Sequence, residues 1–144
     1  MLTFRSLSGA LVLASALVSA GCDTDELFGP DEEDVVGTYN ATELSISTGS
    51  GTTDLLDLGG SVAITLNLDG TTEGTYSSPA YDDEPAFTAG LDGTWNIVAG
   101  FIHLSHDSDT LLEGLVFEYD NGRLIASEVF ADGVVDVVLT RPAP

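Results

Sequence analysis

After residue 34 the chain is punctuated by a turn signal about every ten residues, and between these signals side chains alternate with a period of two. Val62, Ile64, Leu66 and Leu68 alternate with Ala63, Thr65, Asn67 and Asp69, the pattern of a strand with one apolar face. Asp69-Gly70 reads as a hairpin turn into 71–77, and Ala99-Gly100 joins 93–98 to 101–106. Asp120-Asn121-Gly122 turns 111–119 into 123–130, and Asp132-Gly133 turns that segment into 134–141. With 35–47, 61–69 and 86–89 these make eight or nine expected strands. No stretch after residue 22 keeps a helical period over three turns. Short turns make neighbours in sequence neighbours in the sheet, and a meander of this length leaves two exposed edges unless it closes. The expectation is an all-β fold, an antiparallel up-and-down barrel of about eight strands.

The 144 residues are enough for one domain, and a hydrophobic content of 43% allows a real core. All 24 acidic residues follow residue 22, where the only bases are Arg123 and Arg141 and there is no lysine, a formal charge of −22. Phosphate neutralisation needs Lys and Arg, so nucleic acid is excluded as a partner class. The same charge opposes docking on anionic lipid heads and favours a soluble monomer.

The first residues read as an export address. Arg5 gives a short positive region, and residues 9–20 form an apolar stretch too short for the roughly 20 residues that span a bilayer. Leu17-Val18-Ser19-Ala20-Gly21-Cys22 resembles the lipobox of bacterial lipoproteins, with serine where leucine is usual. The resemblance implies that Cys22, the only cysteine, receives a diacylglyceryl group and becomes the new N-terminus, which places the protein in the bacterial cell envelope on a lipid anchor. Residues 1–21 are then the signal peptide. Residues 22–34 form the lipidated cysteine and an acidic tether, with seven acids among residues 23–34 and a Gly29-Pro30 break. Residues 35–144 are the barrel domain.

A second resemblance covers that domain. Val36-Gly37-Thr38-Tyr39 is similar to the Gly-x-Trp opening of lipocalin-like (calycin-type) domains. Asp69-Gly70-Thr71, then Leu91-Asp92-Gly93-Thr94-Trp95, then a closing Val138-Leu139-Thr140-Arg141 follow in the order of the small lipocalin-like domains of bacterial lipoproteins. The resemblance implies that Tyr39 packs at the closed end of the barrel with Arg141 lying over it. The residues agree if Asp136 faces water, since Val135, Val137, Leu139 and Arg141 then share the inward face. The other reading sends Arg141 outward at the C-terminus.

Chemistry-bearing motifs are sparse. His103 and His106, three apart on a strand, point to opposite faces and make a poor metal pair. The acids at 107–109 and 82–84 read as solvated turns, with weak cation binding as the sharper alternative. No nucleophile elbow, P-loop or zinc-protease motif is present, so no catalytic residue, metal or cofactor is expected and the chain reads as non-enzymatic. The function implied by the lipocalin resemblance is binding of a small hydrophobic ligand, with Leu66, Trp95, Phe117 and Leu139 as candidate interior lining. The alternative is a barrel filled by its own side chains that acts as a structural or protein-interaction module.

Overall fold

A computed structural model of the protein describes residues 29–108 and 110–143. The expected signal peptide over 1–21, Cys22 and the first part of the expected tether lie outside these residues. One helical turn, α1 (Glu32–Val35), precedes ten strands: β1 (Gly37–Thr48), β2 (Gly51–Asp54), β3 (Ser61–Leu66), β4 (Thr71–Ser78), β5 (Phe87–Gly90), β6 (Gly93–Val98), β7 (Phe101–His106), β8 (Val116–Asp120), β9 (Arg123–Phe130) and β10 (Gly133–Thr140).

Every pairing is antiparallel, and the path β1-β3-β4-β6-β7-β8-β9-β10 returns to β1, from Asn40 opposite Thr140 to Ser47 opposite Val134. The result is a closed eight-stranded barrel with β2 and β5 outside the closure. Closure leaves these eight strands no shared open edge, the solution expected from the alternation. The two extra strands do related jobs. β1 pairs with β3 only over Gly37–Asn40 and with β2 over Ser45–Thr48. Likewise β4 pairs with β6 only at Thr71 and Thr72 and with β5 over Thr75–Ser78. Each extra strand therefore fills a place where two barrel strands splay apart toward one end.

The long strand β1 changes its inward parity midway. Tyr39 is fully buried, then the register shifts between Ala41 and Glu43, and Leu44 is the next fully buried residue. This bulge places Thr42 outside the pairing, and its hydroxyl lies 2.8 Å from the Thr140 hydroxyl. Across β10, Val135, Val137 and Leu139 are buried and alternate with half-exposed neighbours, the inward set expected from sequence.

Three expected strand boundaries move by two residues or more. β3 stops at Leu66 because Gly70 N–H donates to Asn67 O and Thr71 N–H donates to the Asp69 carboxylate, which leaves Leu68 exposed in the turn. Residues 111–114 form a turn, so β8 begins only at Val116. The strand expected from residue 35 begins at Gly37, with Val35 ending α1 as a fully buried residue.

The core is contiguous. Tyr39, Phe117, Leu44, Ile64, Leu66, Ile102, Leu124 and Leu139 are among its fully buried side chains. The β3–β4, β6–β7 and β8–β9 turns and α1 gather at one end. The β2–β3, β4–β5 and β7–β8 loops and the β9–β10 turn gather at the other.

Candidate functional site

The first of these two ends is plugged. Tyr39 Oη donates to Val35 O at 2.5 Å and accepts from Arg141 Nη2 at 2.8 Å. Arg141 Nη2 also donates to Asp34 O at 2.7 Å, and its Cζ lies 5.2 Å from the Tyr39 ring centroid. Gly37 makes this possible: its φ is +153°, and a Cβ there would stand 2.8 Å from Arg141 Nε. Burial pushes the Tyr39 phenol above its ordinary value, while the Arg141 hydrogen bond and charge oppose that rise. Trp95 joins the plug through Nε1, which donates to Asn67 O at 2.8 Å. Tyr39 and Arg141, which the lipocalin resemblance sets together, are in contact, with Arg141 lying over the Tyr39 ring.

The opposite end is open. A cleft of about 520 Å³ lies there, lined by Ile46, Leu55, Tyr76, Tyr81, Leu111 and Phe130 among others. A smaller recess of about 320 Å³ adjoins it, sharing Ile46, Tyr81, Leu111 and Phe130 and adding Val135. Both are clefts open to solvent rather than sealed cavities.

Each wall has a local cause. Leu55 is 2% exposed because the Asp54 carboxylate caps the turn after β2, accepting from Leu56 N–H at 2.8 Å and Asp57 N–H at 3.3 Å. Leu55 N–H itself donates to Leu44 O, which seats the side chain on the floor. Tyr76 comes from β4, and its ring sits 5.6 Å from that of Phe87 on β5 in a tilted arrangement. Burial pushes the Tyr76 phenol up, with a lowering contribution from Ser78. Tyr81 is held by a tight turn in which Tyr81 and Glu84 exchange backbone hydrogen bonds at 3.1 and 3.0 Å, with Asp82 at φ +54°. Leu111 is fixed by the buried Thr110, whose hydroxyl lies 2.7 Å from His106 Nε2 and accepts from Leu112 N–H. Phe130 ends β9 in the same register as the buried Leu124 and Ala126, and 46% of it is exposed over the mouth.

Leu66, Trp95, Phe117 and Leu139 are all inward and buried, yet none of them lines either cleft. They pack the plugged half of the barrel. The residues that do line the mouth include Tyr81 and Leu111, apolar side chains in loops. For Tyr81 the available signal was a large aromatic residue in a segment that reads as a polar turn, whereas Leu111 reads as part of a strand.

His106 is buried and half-buried His103 sits on the other face of β7, so the two are apart as expected. Among the described residues no group of three or more metal-ligating side chains comes together. Asp69 and Asp120 are held below the usual carboxylate range, Asp69 by hydrogen bonds from Thr71 and Asp120 by bonds from Arg123 and Asn121. Both stand at turns of the plugged end. No helix among the described residues is long and apolar enough to cross a membrane.

Comparison of the chain with protein-family models, with curated proteins and with solved structures finds no match. The closed eight-stranded barrel is compatible with a lipocalin-like fold.

Proposed function

We propose that the protein is a non-enzymatic, lipid-anchored lipoprotein of the bacterial cell envelope whose lipocalin-like barrel binds a small hydrophobic ligand at its open mouth. The observation that carries this reading is the apolar cleft of about 520 Å³ at one end of a barrel whose other end is plugged. That volume falls in the range of small-molecule sites, which are concave, largely apolar and lined by a few polar groups. The reading moves the binding surface from Leu66, Trp95, Phe117 and Leu139 to Ile46, Leu55, Tyr76, Tyr81, Leu111 and Phe130.

The position of the N-terminus gives the arrangement a direction. Gly29 lies against the β6–β7 turn, where a Cβ on it would be 2.5 Å from Gly100 Cα. The described chain therefore enters the domain at the plugged end, seven residues after Cys22 in sequence. Seven residues reach at most about 25 Å when fully extended. A lipid on Cys22 would hold the plugged end toward the membrane and turn the mouth away from it, open to the aqueous space.

Titration of the mature chain carrying Cys22→Ser with the neutral fluorescent probe N-phenylnaphthylamine tests the site. Saturable binding that drops at least about tenfold on plugging the floor with Ile46→Trp supports it, since tenfold corresponds to about 1.4 kcal/mol. Absence of binding, or binding indifferent to the plug, would favour a filled barrel that acts as an interaction module. Membrane fractionation tests the anchor: Cys22→Ala should release the protein, and a mutant that stays with the membrane would contradict the lipid attachment.

A further inference from the structure

The charges around the mouth are all of one sign. Glu84 and Glu113 stand in the wall of the larger cleft, and Asp82 and Asp132 in that of the smaller. Glu128 shares the register of Ala126 and Phe130 on β9, close to the same rim. Both arginines after residue 22 are at the other end: Arg123 pairs with Asp120 in the β8–β9 turn, and Arg141 is engaged with Tyr39 and Asp34. The chain has no lysine, and among the described residues no permanent cation lines the cleft. The one basic side chain near it, His106, lies buried beneath Thr110.

An apolar floor beneath a rim of unpaired carboxylates selects ligands by charge. The hydrocarbon part of an amphiphile gains from burial against Ile46, Leu55 and Tyr76 whatever its head carries. A carboxylate head would come to rest beside Glu84 and Glu113, where like charges repel, and an ammonium head would be attracted there. We propose that the mouth binds amphiphilic cations, an apolar body bearing an amine or quaternary ammonium, and discriminates against fatty-acid anions. This rests on the ligand-binding reading of the cleft and assigns the chemical class that it takes.

Competition against N-phenylnaphthylamine on the mature chain carrying Cys22→Ser, with decyltrimethylammonium, decanol and decanoate below their aggregation limits, tests the assignment. The cation should bind at least ~10-fold more tightly than decanoate, with decanol between them, and added salt should narrow the gap. The double variant Glu84→Gln, Glu113→Gln should bring cation and anion to within about threefold, with its cooperative thermal unfolding showing that it is folded. Decanoate binding as well as the cation, or a preference that survives in the double variant, would overturn the assignment. Decanol binding without any charge preference would overturn the assignment alone. Failure of all three ligands and of the probe itself would overturn the ligand-binding reading as well.

Discussion

Replacing Arg141 by methionine removes the guanidinium and keeps most of the aliphatic stem. The loss can be worked from the geometry. Two donations disappear, to Asp34 O at 2.7 Å and to Tyr39 Oη at 2.8 Å, together with the contact over the Tyr39 ring at 5.2 Å. Hydrogen bonds from a charged donor contribute about 1.5–3 kcal/mol each, and a partly buried cation–π contact ~0.5–2 kcal/mol. Arg141 Nε offsets part of this, because it is buried without a partner and costs about 1–3 kcal/mol in lost hydration. The two acceptors are not stranded by the change: Tyr39 Oη keeps its bond to Val35 O, and Asp34 is exposed to water. These ranges leave a net destabilisation of about 0.5–7 kcal/mol, with their midpoints at about 4 kcal/mol. In urea, with a slope of about 1–3 kcal/mol per molar, the unfolding midpoint should fall by roughly 1–4 M. Tyr39→Phe should also destabilise, and the double variant should fall short of additivity by about 1 kcal/mol because the two side chains touch. An Arg141→Met change below about 0.5 kcal/mol, or strict additivity with Tyr39→Phe, would refute the idea that this pair locks the plugged end.

Phe117→Ala should cost about 3–5 kcal/mol and leave ligand affinity within threefold, because Phe117 is core and not cleft; equilibrium unfolding and probe titration on the same variant check both halves. Gly74→Ala should destabilise by about 1–3 kcal/mol, since a Cβ would stand 2.2 Å from Ala63 O and force β4 away from β3; thermal unfolding reads this. Tyr39 and Tyr76 have raised folded-state values, so each binds its proton more tightly folded than unfolded. Stability from these phenols is complete below their ordinary value of 10.0 and is lost as pH rises through the folded value. Melting temperature should therefore decline above pH 10, and Tyr76→Phe should make that decline shallower than in the native chain.

The alternation in the sequence carries the direction of side chains and not their height in the barrel. Val135, Val137 and Leu139 point inward as their spacing implies, and so do Leu66, Trp95 and Phe117. Period two distinguishes inside from outside because successive side chains leave a strand on opposite faces. The level of a residue along the barrel axis depends on stagger between strands, which turn lengths and bulges set. The bulge at Thr42 is one such device, and nothing in Asn40-Ala41-Thr42-Glu43 marks it. That is why four inward residues were read as candidate lining although they reach neither cleft. Loop residues escaped for a related reason. Leu111 and Leu112 look like the start of a strand, but Thr110 and Gly114 bend them into a turn over the mouth. β2 has no apolar alternation at all in Gly51-Thr52-Thr53-Asp54, and it forms because β1 offers it an unpaired edge. Tyr39 and Arg141, separated by nearly the whole domain, were read together only through the lipocalin resemblance, and the pairing of β1 with β10 is what brings them into contact.

In the proposed function a ligand sits at the open end and not in the barrel interior. Amide and side-chain NMR shifts of the mature chain carrying Cys22→Ser, followed while N-phenylnaphthylamine is added to saturation, test it most directly. Shifts are expected to concentrate at Ile46, Leu55, Tyr76, Tyr81, Leu111 and Phe130, with Leu66, Trp95, Phe117 and Leu139 nearly unmoved. Shifts centred on the latter four, or a spectrum unchanged at saturating probe, would contradict it.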